Sequence, residues 1–194
     1  WASTVTGQTV SLGTCNTGIG GTACNLPFTV PHATKGDWLI HAESVVDISN
    51  NQLTFTVNPK ITSSSPSSGN VGTSVIVTGT GFASELVTVS LGTFSLGSAT
   101  PTSGAGGSAG DLSVTANAPE MPYGNKAISA SGTSSGTVTS AFIFTVNPKI
   151  SLSANSGVYN TTITVSGTGF AASSTITITW DGADTTTTTL SNTL

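Results

Sequence analysis

The chain has 194 residues, of which 36% are hydrophobic and only 6% charged, with a net charge of −4. That much apolar material supports one or two domains with real cores and excludes a disordered chain. All four basic residues are lysines, so no basic surface exists to neutralise phosphates, and nucleic acid is excluded as a partner.

Hydration must come from hydroxyls and amides, which crowd Thr62 to Ser68, Ser131 to Ser135 and Thr185 to Thr189. Such a surface keeps its hydration below about pH 4, where carboxylates lose their charge, and this suits an acidic or hot external habitat. No apolar run reaches the roughly 18–20 residues of a membrane span. The chain opens at Trp1 without methionine, so a removed signal peptide or a fragment is expected. Its polar start, Trp1 to Gly7, is unlike the long apolar helix that opens type IV pilins, and that assembly route is excluded.

In chain order the first landmark is Cys15 and Cys24, flanking the glycine-rich stretch 16–23. A disulfide closing this loop is the leading reading, since exported domains meet oxidising conditions. The alternative is a pair of reduced buried thiols, and zinc lacks further ligands. His32, Asp37, His41 and Glu43 follow. On a strand over 38–45 the side chains of His41, Glu43 and Val45 share a face, which would suit a metal or acid–base site. The positions that align with the cluster later in the chain, Glu120, Asn125, Ser129 and Ser131, do not repeat that chemistry. A solvated strand face is the better reading, and no catalytic residue, metal site or cofactor is expected.

Apolar and polar residues alternate through Ser74–Thr78, Val87–Leu91, Thr161–Val165 and Ile176–Trp180, a period of two that predicts strands with one buried face. No window carries a helical period, and the glycines and prolines fall between the alternating runs, where turns are needed. The expected class is all-β.

The strongest signal is repetition. Val57-Asn58-Pro59-Lys60-Ile61 returns as Val146-Asn147-Pro148-Lys149-Ile150, a period of 89 residues. The stretch from Pro59 to Phe82 aligns with that from Pro148 to Phe170, each ending in Gly-Thr-Gly-Phe, read as a glycine hairpin before an aromatic plug. Leu12-Gly13-Thr14 aligns with Leu91-Gly92-Thr93, and Pro31, Gly36, Ile40 and Ala42 align with Pro119, Gly124, Ile128 and Ala130. Phe55-Thr56-Val57 closes one copy and Phe144-Thr145-Val146 the next. A unit of this length suits one sandwich domain.

Pro-x-Ile, a loop of small residues, Gly-Thr-x-Val-x-Val-x-Gly-x-Gly-Phe, then Val-x-Pro, Gly and a closing Phe-x-Val resemble the TIG-type immunoglobulin-like repeat domain of prokaryotic cell-surface proteins, with an archaeon as the expected source. The resemblance covers 58–146 and, in halves, most of the rest. It implies an extracellular module for stacking, adhesion or spacing, without catalytic residues. Some intracellular relatives contact DNA, a role that the lack of arginine removes here.

The phase of the repeat divides the chain into 1–57, the second half of a unit with the disulfide hairpin; 58–146, a complete unit; and 147–194, the first half of another. About four strands are expected in the first part and about three in the last. Half a sandwich leaves an apolar face and open strand edges, which recruit other chains. A contact between unlike halves of successive molecules does not close, so it propagates as a filament. Trp1, Val5, Val10, Leu12, Ile176, Ile178 and Trp180 are the expected interface, carried by segments 1–14 and 175–194. Thr9–Gly13 and Ile176–Trp180 compete for one place in the repeat, so one of them must sit elsewhere.

Smaller candidates remain. Asp181 and Asp184 offer too few oxygens for calcium. Lys60 and Lys149 recur beside asparagine without an acid to catalyse an isopeptide bond, so they read as loop lysines. Asn160-Thr161-Thr162 is an N-glycosylation sequon in a loop before a strand. Phe55, Phe82, Phe142, Phe144 and Phe170 read as core plugs, whereas Trp1, Trp38 and Trp180 break the repeat and suit contacts. The expected function is that of a secreted structural subunit, not an enzyme, at the cell surface. It would polymerise with copies of itself into a pilus- or thread-like filament by β-strand complementation. A tandem stalk or surface-layer protein and a module binding surface glycans or other cells are the alternatives.

Overall fold

The computed structural model describes residues 10–18, 20–21, 24–43, 51–103, 106–180 and 183–188. Every regular element among them is a strand: β1 (Gly36–Ala42), β2 (Asn51–Val57), β3 (Lys60–Ser65), β4 (Ser68–Gly69), β5 (Ser74–Thr80), β6 (Val87–Leu91), β7 (Phe94–Ala99), β8 (Leu112–Asn117), β9 (Gly124–Gly132), β10 (Gly136–Val146), β11 (Lys149–Leu152), β12 (Val165–Thr168), β13 (Ile176–Trp180) and β14 (Ala183–Thr188). The protein is therefore all-β over these residues, as the alternating β-branched runs require.

Residues 60–146 build two facing sheets, one ordered β3-β5-β8 and the other β4-β10-β9-β6-β7. Strand alternation puts Ile61, Val75, Val77, Leu112 and Val114 on the inner face of the first. Val87, Val89, Leu91, Ile128, Phe144 and Val146 answer from the second. Each such side chain removed from water contributes about 1.5–3 kcal/mol, so this core dominates the stability of the chain.

Phe82, fully buried, sits between the sheets. Gly79-Thr80-Gly81-Phe82 is not the hairpin the sequence suggested, because β5 and β6 lie in different sheets and the segment carries the chain across. Gly81 makes the turn with φ 76°, a left-handed value that suits glycine. A Cβ at Gly79 would stand 2.6 Å from Phe82 Cε2, so only glycine lets the ring close over the strand.

Strand directions fix where the flanking segments attach. Lys60 pairs with Thr80, which places the entry to β3 beside Gly81 at one end of the sandwich. β10 runs parallel to β4, with Val146 opposite Gly69, so the chain leaves at the other end. Asn147 N donates to Gly69 O at 2.8 Å there. The flanks thus depart from opposite ends, separated by about 20 Å at 3.3 Å per residue along the seven residues of β5.

The amino-terminal flank forms an antiparallel pair, β1-β2, and the carboxy-terminal flank two pairs, β11-β12 and β13-β14. Two strand expectations change. Thr161–Val165 is not a strand throughout: Thr161 closes a turn by donating its N–H to Val158 O at 3.0 Å, and β12 begins only at Val165. The two segments that compete for one place in the repeat also differ: β13 forms a strand pair, while described residues 10–13 lie in no strand.

Candidate assembly surface

Both flanks repeat, contact for contact, arrangements found in the central sandwich. Gly36, Asp37 and Trp38 pair with Val57, Thr56 and Phe55. Gly124, Asn125 and Lys126 pair with Val146, Thr145 and Phe144 in the same order. Thr56 Oγ1 donates to Asp37 Oδ1 at 2.7 Å, and Thr145 Oγ1 to Asn125 Oδ1 at 2.8 Å. On the other flank, Lys149 and Ile150 pair with Thr168 and Gly167 as Lys60 and Ile61 pair with Thr80 and Gly79. A Cβ at Gly167 would meet Phe170 Cε2 at 2.6 Å, the approach of Gly79 to Phe82. The β13-β14 pair keeps even the irregularity of β6-β7: register slips between Ile178 and Thr179, and between Val89 and Ser90.

What does not repeat is burial. Ile61 is 3% exposed and its counterpart Ile150 60%. Leu91 is fully buried, whereas Trp180 at the matching place is 67% exposed. Phe144 is fully buried and Phe55 is 40% exposed. Leu53, Leu152, Val158 and Tyr159 add to the apolar surface of the flanks. A cleft of about 380 Å³ opens on the β1-β2 pair between Ile40, Ala42 and Leu53.

Specific bonds tie each flank to its end of the sandwich. At the entry end His32 Nδ1 meets Asp111 Oδ1 at 2.6 Å, and Gly106 N donates to His32 O at 2.6 Å. Gly110 admits the Ala33 carbonyl where any Cβ would collide with it. Lys35 Nζ donates to Ser134 O at 2.7 Å and Ser135 O at 3.3 Å in the β9-β10 turn. The same turn grips Glu85, whose carboxylate accepts from Ser134 N at 2.7 and 2.9 Å and from Ser135 N at 2.6 Å. These backbone donors favour the charged form and lower its pKa from 4.5 to about 2. At the exit end Tyr123 N donates to Phe170 O at 3.2 Å, and Asn70 Nδ2 to Asn147 O and Pro148 O at 3.1 Å each.

Trp1 and Val5 lie outside the described residues. Val10 is exposed, Leu12, Ile176 and Ile178 are half-buried, and Trp180 is the most exposed of the described interface candidates. Trp38 is no free contact residue: it is half-buried, and its Nε1 donates to Thr34 O at 2.9 Å. Cys15 and Cys24 form a disulfide with Cα atoms 6.0 Å apart, the kind of bond that persists in oxidising surroundings. Asn160 is exposed in its turn at φ 66°.

The His32–Glu43 cluster is dispersed, with His32 on Asp111, Asp37 on Thr56 and Glu43 beyond the end of β1. Among the described residues no group of three or more His, Cys, Asp or Glu could hold a metal ion. Asp181 lies outside the described residues, as does the side chain of Asp184. Lys60 and Lys149 are exposed. Of the five phenylalanines read as plugs, only Phe82 and Phe144 are buried; Phe170 is half-buried, and Phe55 and Phe142 are exposed. Phe142 falls inside the irregularity of β10 between Thr139 and Ile143, which turns it out of the ladder.

Sequence reasoning passed over the stripe Leu26, Phe28 and Val30, each about two-fifths exposed. Its alternation aligns with Val114, Ala116 and Ala118 in and just after β8, and that match was the available signal. It also passed over Glu85, for which a lone acid gives no signal.

The class these observations define is an all-β protein with one closed double sheet and, at either end, paired strands with apolar faces in water. No known protein family and no curated protein matches the chain. One solved structure with some likeness is that of a structural genomics protein of unknown function from Bacteroides thetaiotaomicron. It is 19% identical over 50% of this chain and 23% of its own length, with a TM-score of 0.35.

Proposed function

We propose that the chain is a structural subunit of an extracellular, cell-surface filament, built of immunoglobulin-like sandwiches and joined head to tail by strand complementation between copies. The observation that carries this reading is the mismatch between register and burial. The flanks have the strand pairings of the central sandwich, yet they leave in water the apolar positions that the sandwich encloses. Because the flanks leave from opposite ends, a head-to-tail pair keeps an unfilled flank at each of its ends, and the contact propagates. The disulfide favours an oxidising exterior.

Electron microscopy of the purified full chain tests the proposal. Long uniform fibres from this polypeptide alone are the expected result. Stable monomers at concentrations of about 100 μM, far above the nanomolar dissociation constants of interfaces of standard size, would sink it. Monomers bound to a glycan surface would instead favour an adhesive module.

A further inference from the structure

Resting on that filament reading, we infer that the acceptor for segment 24–30, β1 and β2 is the carboxy-terminal flank of a second copy, in one defined register. The central sandwich is the template. Its two sheets contain eight strands in the orders given above. Counterparts of β8, β9 and β10 occur in the amino-terminal flank as segment 24–30, β1 and β2. Counterparts of β3, β5, β6 and β7 occur in the other flank as β11, β12, β13 and β14. Gly157, crowded by Thr161 as Gly69 is by Thr73, stands for β4. The two flanks therefore supply complementary strands without duplication.

The register follows from β5-β8, where Ser74, Val75 and Val77 face Asn117, Ala116 and Val114. Carried to the flanks, Thr162, Ile163 and Val165 face the second copy's Thr29, Phe28 and Leu26. This places the Leu26, Phe28 and Val30 stripe inward, while a slip of one residue would turn all three to solvent. Pro27 gives an independent check. Ala118 directs both its N–H and its carbonyl at the start of β5, bonding Thr73 O at 2.8 Å and Gly72 N at 2.9 Å. Alternation along the ladder then points the backbone of Thr115 to the outer edge. Pro27 takes the place of Thr115, so the position without an N–H falls where the ladder asks for none, as edge prolines do. In the second sheet Leu91 faces Ile128. Trp180 accordingly faces the second copy's Ile40, at the cleft that Ile40, Ala42 and Leu53 line.

Cysteine pairs in the full chain test the register. Thr29 and Thr162 occupy a non-hydrogen-bonded pair, in which Cα atoms lie about 4.5 Å apart and within disulfide reach. The double variant Thr29→Cys/Thr162→Cys is expected to give a covalent ladder on a non-reducing gel. The offset pair Thr29→Cys/Ser166→Cys, about 13 Å out of register, should give roughly a tenth of it or less. Trp180→Leu, which restores the residue of the template, should keep fibres, and Trp180→Asp should lose them. Fibres without a ladder from the first pair, or with equal ladders from both, overturn the register and leave the filament standing. Wild-type chain that never assembles removes the filament reading itself. A native polypeptide whose intact mass includes a further repeat able to fill the flank overturns the second copy as occupant.

Discussion

Ile61 and Ile150 sit in the same tripeptide, on the same kind of strand, opposite the same glycine of Gly-Thr-Gly-Phe. One is buried and the other in water. The central sandwich and the carboxy-terminal flank therefore separate two things usually seen together. Pairing and turns are local, set by alternation, glycine placement and the ring that each glycine admits. Burial is not local: it needs the facing sheet and the adjoining strands, which 112–146 supply to the centre.

The largest expected contrast comes from the ring that closes each unit. Phe144→Ala should destabilise the chain by about 3–5 kcal/mol in urea, because it empties a packed core. Phe55→Ala should cost about 1 kcal/mol or less in the monomer, since water already reaches that ring. Equal losses would mean that the amino-terminal flank is as well packed as the centre.

Removing the disulfide comes next. Cys15→Ser with Cys24→Ser frees a loop of sequence separation 9. The chain-entropy argument puts the loss at about 2.5 kcal/mol, confined to the amino-terminal flank. Hydrogen exchange should show faster exchange before β1 and an unchanged central sandwich. A uniform loss of protection would break the separation.

The glycines sharpen the comparison further. Gly79→Ala drives a methyl against Phe82 and the Lys60 carbonyl, and overpacking of this kind costs about 1–3 kcal/mol. Gly167→Ala meets only Phe170, which is half-buried and can swing aside, so its effect on the melting temperature should be smaller.

The smallest effect is the response to acid. Glu85 has its pKa lowered to about 2 in the fold by the Ser134 and Ser135 N–H groups. Its contribution is complete above the ordinary value of 4.5 and is lost as pH falls through about 2. The melting temperature should therefore show no Glu85-linked change between neutrality and pH 4.5, and should decline below it. Glu85→Gln should remove that part of the acid slope. An unchanged slope in the variant would show that the Ser134–Ser135 clamp does not matter to stability.

Much of the fold was legible because its signals are local. The alternation in Val87–Leu91 marks β6 as it stands, and the recurrence of Val-Asn-Pro-Lys-Ile marks the start of β3 and β11. The Gly-Thr-Gly-Phe segment misled because a crossing between sheets and a hairpin within one use the same turn residues. Only the placement of β6 tells them apart. At the candidate site Trp180 could be singled out from its departure from the repeat. The expected interface over 1–14 did not include Leu26, Phe28 and Val30, whose match to Val114, Ala116 and Ala118 shows only beside the β5-β8 ladder.

By itself the sequence determined the class and the period, because side-chain alternation and glycine conformations act over a few residues. The tertiary structure alone decided which copies of the repeat are enclosed, that the flanks leave by opposite ends, and that Glu85 is held by a turn 49 residues away. Enclosure and long-range bonds depend on which strands meet across the molecule. That meeting is a property of the folded chain as a whole, and no single segment carries it.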